Sequence, residues 1–514
     1  MITSQNCILI VIAVYLIGML LIGLACSKKN KNVDDFYLGG RQLSPLVTAM
    51  SAEASDMSSW LLMGLPGVAY LTGLADATWT AIGLAIGTYI NWLIVAKRLR
   101  VYSHDINAIT IPDFFSKRFG DKKNMLSCIA AIVIVVFFVP YTASGFAACG
   151  KLFNTILGVD YVTAMVVSAI VIILYCALGG FLAASTTDFI QSIVMTIALV
   201  VILGFGEGIV HGFDNVIANA KELPGYLSLT NIHVPETGGS APYSTLTIAS
   251  MLAWGLGYFG MPHVLLRFMA IEDENKLKVS RRIATVWVVI SMTVAVMIGV
   301  VGYSMTKAGV IEELTGANSE TIIVVISSLI SSYGYIPACV AGLILSGILA
   351  ATMSTADSQL IAASSSITQD LMQNFFNVKL SQKASMMIAR LTIVGVSVIG
   401  IFLARNPNSS VFEIVSFAWA GFGASFGPVM LAALFWKRCN KWGALAGMIS
   451  GGAMIFIWKY GIAKLGGVFA IYELLPAFVV ATVVLVVVSL ATGEPEKEVA
   501  DQFDASMAKC KLGK

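Results

Sequence analysis

Cys7 to Cys26 is an apolar run without a single charge, and runs of this kind recur as far as residue 491. A bilayer core is about 30 Å thick, so about 20 apolar residues in a helix cross it. Inside lipid every backbone N–H and C=O must be satisfied within the protein, which leaves helices or closed barrels. The runs are too long for barrel strands. They predict thirteen membrane segments, near 7–26, 45–73, 77–96, 125–149, 161–178, 188–210, 245–266, 285–305, 322–355, 386–404, 411–436, 443–463 and 467–491. Charged residues make up 12% of the 514-residue chain, about half the share usual in soluble proteins. The fold class is therefore an all-α polytopic membrane protein. It forms one transmembrane domain over 1–492 and a short tail over 493–514.

Basic residues set the expected orientation. The first run lacks a basic flank before it and is followed by Lys28, Lys29 and Lys31, so it is a retained helix and not a cleaved signal. With the N-terminus outside, 26 of the 32 Lys and Arg fall in inner loops or the tail; the others are Lys151, Lys221, Lys307, Arg405, Lys459 and Lys464. That asymmetry predicts N-out, C-in and an odd number of spans in a plasma (inner) membrane. The net charge of +3 gives no case for nucleic acid, and no obligate protein partner is evident. The eight cysteines show no CxxC spacing and the four histidines no ligand cluster. They read as core residues, not as disulfides or metal ligands. No phosphate loop, zinc motif or nucleophile elbow is present, so the chain is not expected to be an enzyme.

Two segments are not plain hydrophobic helices. The second carries SAEASDMSSWLLMGLPG (51–67), with two acids, several serines, two glycines and a proline. The seventh carries WGLGYFGMPH (254–263), with three glycines and a proline inside an apolar span. The seventh follows the second by five positions, so each opens one half of a five-plus-five arrangement (45–210 and 245–436). Interrupted helices in matching positions of two halves point to a transporter site: freed carbonyls can hold a cation, and half-helix N-termini can face a carboxylate.

Asp56 lies near the middle of its segment, where transfer scales put an acid at about 2.5–3.5 kcal/mol unfavourable. It should face a site or a partner, or else cap the helix at the break. In LAATMSTADSQ (349–359), Ala351, Ser354 and Thr355 are spaced to share one helix face. Their neutral oxygens suit sodium, although hydroxyls packed between helices would look the same. Trp60, Tyr141, Trp254 and Tyr258 can wall a small ring or act as ordinary core aromatics. Asp188 opens segment six and can cap it or draw a cation into the inner vestibule.

Together these stretches resemble bacterial sodium/proline symporters of the solute:sodium symporter family over nearly the whole chain. The matching motifs are DDFYLGGRQLSPLVTAMSAEASDMSSWLLMGLPG, GGFLAASTTDFIQ, WGLGYFGMPHVLLRFMA, ILAATMSTADSQL and the family's C-terminal signature near Phe417 to Gly451. The resemblance implies a leucine-transporter-like fold of two inverted five-helix repeats, with one helix before and two after. It implies a sodium site from the Ala54 and Met57 carbonyls with Ala351, Ser354 and Thr355. It ties Asp56, Ser58, Ser59, Trp60, Tyr141, Trp254, Tyr258 and Pro262 to proline or coupling, and Arg41 and Asp188 to sodium entry or release. The activity implied is symport of Na+ with L-proline by alternating access; another amino acid, a betaine or a carboxylate vitamin is the alternative solute.

Two positions depart from some relatives, which carry Gly at Ser59 and a small uncharged residue at Glu53. Glu53 stands one helical turn before Asp56. Either it faces another helix and pairs there, or it tunes the cation site and lets a proton or lithium contribute.

Overall fold

A computed structural model describes residues 3–27 and 33–512; Lys28, Lys29 and Lys31 of the expected basic loop lie outside the described residues. After α1 (Ser4–Ser27), Ser44 caps α2 (Pro45–Asp56) by accepting from the Val47 N–H, and Pro45 stands in its first turn, where no N–H is needed. The chain breaks after Asp56, resumes as a wide turn over Trp60–Gly64 and continues as α3 (Leu65–Thr72). Next come α4 (Leu74–Ile90), α5 (Ala96–Asp105), α6 (Ile111–Arg118), α7 (Met125–Leu157), α8 (Tyr161–Gly179) and α9 (Phe181–Ile209).

The second half opens with α10 (Thr245–Leu252), a tight 3-10 stretch over Ala253–Phe259 and α11 (Pro262–Ala270). It continues with α12 (Leu277–Lys307), α13 (Ile322–Ser331), α14 (Tyr335–Ser365), α15 (Gln382–Leu403) and α16 (Val411–Phe435). Then follow α17 (Lys441–Tyr460), α18 (Leu474–Ala491) and α19 (Lys497–Leu512). Among the described residues, ten helices are long and apolar enough to cross a membrane by length and composition.

The bundle is helical as expected, and the polar stretch before α10 adds an antiparallel hairpin, β1 (Asn231–Val234) with β2 (Gly239–Pro242). Two expectations need correction. The segment expected over 322–355 is two helices, because Gly334 takes a positive φ and turns the chain between α13 and α14. α9 starts at Phe181, so Asp188 lies well inside it and does not cap it. In the tail, α19 docks through Phe503 and Met507, and Lys509 pairs with Asp105 of α5.

The site is framed by close crossings. α4 passes the 3-10 stretch backbone on backbone. A Cβ added at Gly87 would stand 2.4 Å from Gly255 Cα, and one at Gly255 would stand 2.2 Å from the Gly83 carbonyl oxygen. Backbone cannot move aside as a flexible side chain can. Gly87→Ala is therefore expected to cost about 1–3 kcal/mol, read as a lowered thermal midpoint in detergent. Gly204→Ala, with nothing within 4 Å of the added Cβ, should leave the midpoint unchanged.

Candidate ion and solute site

The first break frees two carbonyls in a definable way. In a continuous helix, the Ser58 amide would bond the Ala54 carbonyl and the Leu61 amide the Met57 carbonyl. Here Ser58 N–H donates instead to Asp56 O (2.8 Å) and Leu61 N–H to Ser58 O (3.0 Å). Met57 N–H still donates to Glu53 O (2.7 Å), so the helix is intact up to that point. Ala54 O is taken up from another helix: the Ser354 hydroxyl donates to it at 2.8 Å. Thr355 Oγ1, one residue on, is buried without a hydrogen-bond partner. A hydroxyl of α14 thus stands on a carbonyl released by α2, with a second buried hydroxyl beside it. Neutral oxygens of this kind fit a small hard cation.

The second break ends at Met261, whose extended backbone precedes Pro262 at the first turn of α11. Tyr258, in the 3-10 stretch, donates its hydroxyl to Asp56 Oδ2 at 2.6 Å. The two breaks are therefore joined by one hydrogen bond between a buried phenol and a buried carboxylate. Asp56 Oδ1 has no partner, and its backbone carbonyl is approached by Tyr141 Oη (3.3 Å) and Trp60 Nε1 (3.4 Å). Ser58 Oγ accepts from the Trp60 amide (3.4 Å), and Ser59 Oγ is buried without a partner.

Aromatic rings close around this point. Trp254 stacks on Tyr472 (4.9 Å between centroids) and Trp419 (6.3 Å), and lies 6.0 Å from Trp60. Trp419 Nε1 donates to the Trp254 carbonyl (2.8 Å), and its ring meets Tyr258 edge-on at 5.0 Å. Gly257 has no room for a side chain: a Cβ there would fall 2.0 Å from Trp419 Nε1. Phe412 covers Trp254 and Trp60. Beyond it, buried Glu320 accepts from Ser410 Oγ and from the Val411 and Phe412 amides at the start of α16. The same carboxylate pairs with Lys151 of α7 at 2.6 Å. Trp419, Phe412, Tyr472 and Glu320 were not singled out from the sequence. Lys151 had shown only as a cation away from the basic loops.

Asp188 joins a different cluster. Its Oδ2 accepts from Ser51 Oγ (2.7 Å) and Arg267 Nη2 (3.1 Å). Arg267 also donates to Ser51 Oγ, the His263 carbonyl and Ser358 Oγ, and Ser358 in turn donates to Asp357. The sequence reading counted Arg267 with a basic loop; it is 1% exposed and sits in α11. Its guanidinium links α2, α9, α11 and α14. Arg41 is not among the side chains at the breaks. It donates to the carbonyls of Met269 (2.8 Å), Ala108 (2.6 Å) and Ser103 (3.2 Å), where α5 and α11 end. Glu53 points from α2 to α4, accepting from Thr88 Oγ1 (3.0 Å) and Trp92 Nε1 (2.9 Å).

Two interrupted helices meeting at a buried carboxylate, inside a bundle of apolar spans, are the arrangement of a multi-pass membrane transporter. The model of the "Sodium:solute symporter family" matches residues 36–451, and the chain belongs to that family. It is 42% identical to "Osmoregulated proline transporter OpuE" of Bacillus subtilis (strain 168) over 95% of this chain and 96% of that protein. It is 43% identical to "High-affinity proline transporter PutP" of the same organism (95% and 98%). It is 40% identical to the "Sodium/proline symporter" of Escherichia coli (strain K12) (96% and 95%). A solved Na+-coupled sialic acid symporter in a substrate-bound outward-open state shares the fold, with a TM-score of 0.77 at 19% identity over 96% of this chain and 99% of that one. MhsT in complex with L-phenylalanine matches at a TM-score of 0.54, 13% identity, over 88% and 99%. The fold is that of the leucine-transporter-like carriers.

Arg267 offers a direct test of the buried cluster. Removing one partner of a buried pair costs about 3–5 kcal/mol because the other charge is left unpaired. Arg267→Met should lower the thermal midpoint in detergent sharply, and adding Asp188→Asn should restore part of the loss. Equal midpoints for Arg267→Met and wild type would show that the guanidinium carries no such load.

Proposed function

We propose that this protein takes up L-proline together with Na+ by alternating access. The observation that carries the reading is the released Ala54 carbonyl meeting Ser354, beside buried and unpartnered Thr355. In this reading Na+ is held by the Ala54 and Met57 carbonyls, Ala351, Ser354 and Thr355. The solute is held by the breaks and their rings: Asp56, Ser58, Ser59, Trp60, Tyr141, Trp254, Tyr258 and Pro262. The relatives named above, at 40–43% identity over nearly full length, support proline as the solute. No covalent chemistry is required.

The repeats run approximately over 45–210 and 245–436 within one transport domain. The protein sits in the plasma membrane with its N-terminus outside and its C-terminus inside. The gathering of Lys122, Lys437 and Lys509 around acids of the tail and α5 supports placing that basic end in the cytoplasm. The membrane potential then adds about 2.3 kcal/mol per 100 mV for each sodium moved inward. Arg267 with Asp188 and Ser358 ties α11 to α9 and α14. In this reading that link parts on inward opening, and the buried Asp188 carboxylate in it supports a role in sodium release. Arg41, bound to the carbonyls where α5 and α11 end, belongs to the mouth of that route.

Uptake of labelled proline into proteoliposomes should be saturable and require a sodium gradient; uptake without sodium dependence would refute the reading. Thr355→Ala or Ser354→Ala should raise the sodium half-saturation by about tenfold or more, the size of one lost hydrogen-bonding ligand. Trp254→Ala should weaken proline binding by about tenfold or more and leave sodium binding nearly unchanged. Equal losses of both would remove Trp254 from the solute wall.

A further inference from the structure

Glu53 is the acid in the first broken helix that the assignments above leave without a task. It is fully buried, and its contacts run away from Asp56 toward α4. Oε1 accepts from Thr88 and from Trp92, which lie four residues apart and so share one face. Between them, Asn91 Nδ2 donates to the Tyr258 carbonyl in the second break at 3.0 Å. The Trp92 ring also meets Phe268 of α11 edge-on at 4.5 Å. The helix widens at this point, over Asn91–Val95, as helices often do where a side chain must be re-aimed at a functional site. One face of the α4 region, Thr88–Asn91–Trp92, therefore holds the last turn of α2 and the second break at once.

That last turn is the one that matters for the ion. Glu53 O accepts the final helical bond, from Met57 N–H. The residues between them include Ala54, whose carbonyl meets Ser354. A side-chain anchor at Glu53 fixes the rotation of this turn about the helix axis, and with it the direction of the Ala54 and Met57 carbonyls. We infer that Glu53 is a positioning residue for the sodium site, clamping the end of α2 to Thr88 and Trp92 so that the released carbonyls face α14. The inference rests on the sodium assignment proposed above. Glu53 itself takes no ion in this account. It serves as a hydrogen-bond acceptor, and a neutral amide oxygen can do the same.

The experiment compares Glu53→Gln, Glu53→Ala and the paired change Thr88→Val with Trp92→Phe, in full-length protein reconstituted in liposomes. For each, the sodium half-saturation of proline uptake is measured, and the proline half-saturation at saturating sodium. Glu53→Gln keeps an acceptor oxygen for both donors and should stay within about twofold of wild type in both constants. Glu53→Ala should raise the sodium half-saturation by about tenfold, in line with two lost hydrogen bonds, with proline half-saturation at saturating sodium little changed. The Thr88→Val, Trp92→Phe pair removes the donors and leaves Glu53 in place. It should reproduce the sodium effect, and it carries the test should Glu53→Ala fail to fold.

Glu53→Gln behaving as badly as Glu53→Ala would overturn the inference, because the charge or a proton would then be what the site uses. So would a sodium half-saturation unmoved by Glu53→Ala and by the paired change. Equal shifts in both constants would also overturn it, since they would mark a structural role without preference for the ion. Wild-type uptake that ignores sodium would instead remove the functional reading beneath the inference, before any variant is compared.

Discussion

A backbone carbonyl inside a membrane cannot be left to water, and everything at the centre of this protein follows from that. Opening a helix between Asp56 and Trp60 releases carbonyls that need new partners. The structure supplies one from α14, through Ser354, and leaves Thr355 buried beside it. The same break leaves Asp56 facing inward, where Tyr258 from the second break donates to it. Carbonyls of the second break are met from other elements too, by Asn91 at Tyr258 O and by Trp419 at Trp254 O. A kink serving only to bend a helix would not need a hydroxyl from a distant helix on its carbonyl.

The tie between Asp56 and Tyr258 also explains how two ligands can be linked. In the proposed reading, the first break contributes carbonyls to the ion on one side and a carboxylate to the solute region on the other. Moving α2 moves both. The second break follows through Tyr258 and through Asn91, which holds the Tyr258 carbonyl. Glycines make this possible by letting α4 and the 3-10 stretch touch backbone to backbone. Away from the breaks, the Arg267–Asp188 pair and the Lys151–Glu320 pair each cross between helices at buried positions. Two buried ion pairs are weak contributors to net stability, since desolvation offsets their attraction. Their value lies in specifying which helices stay together in a given state.

The broken helices were legible in the sequence because glycine, proline and acids are costly in apolar spans and therefore conspicuous. Asp56 was conspicuous for the same reason, whereas Ser354 and Thr355 showed only as two hydroxyls on one helix face, which packing between helices also gives. Trp419, Phe412 and Tyr472 could not be read, because an aromatic in an apolar helix has no pattern that separates a site wall from ordinary packing. Arg267 was misread because it directly follows the segment expected to end at 266, and its burial in α11 places it inside the bundle. The division of 322–355 into two helices turns on Gly334, within SSYGYIP (331–337), a Ser/Gly/Pro break that the single long segment passed over. For Glu53 the sequence left two directions open. Its hydrogen bonds to Thr88 and Trp92 show that it faces another helix, and no spacing rule along one chain could have named that helix.

The central claim is that one broken helix serves both ligands, so that sodium and proline binding are coupled. Calorimetry on purified protein in detergent tests this most directly. Proline affinity is measured across a series of sodium concentrations, and sodium affinity with and without proline. Linkage requires the two enhancements to be equal. The account predicts a proline dissociation constant that falls as sodium rises, with a matching gain in sodium affinity when proline is present. A proline affinity that stays constant from zero to saturating sodium would contradict it.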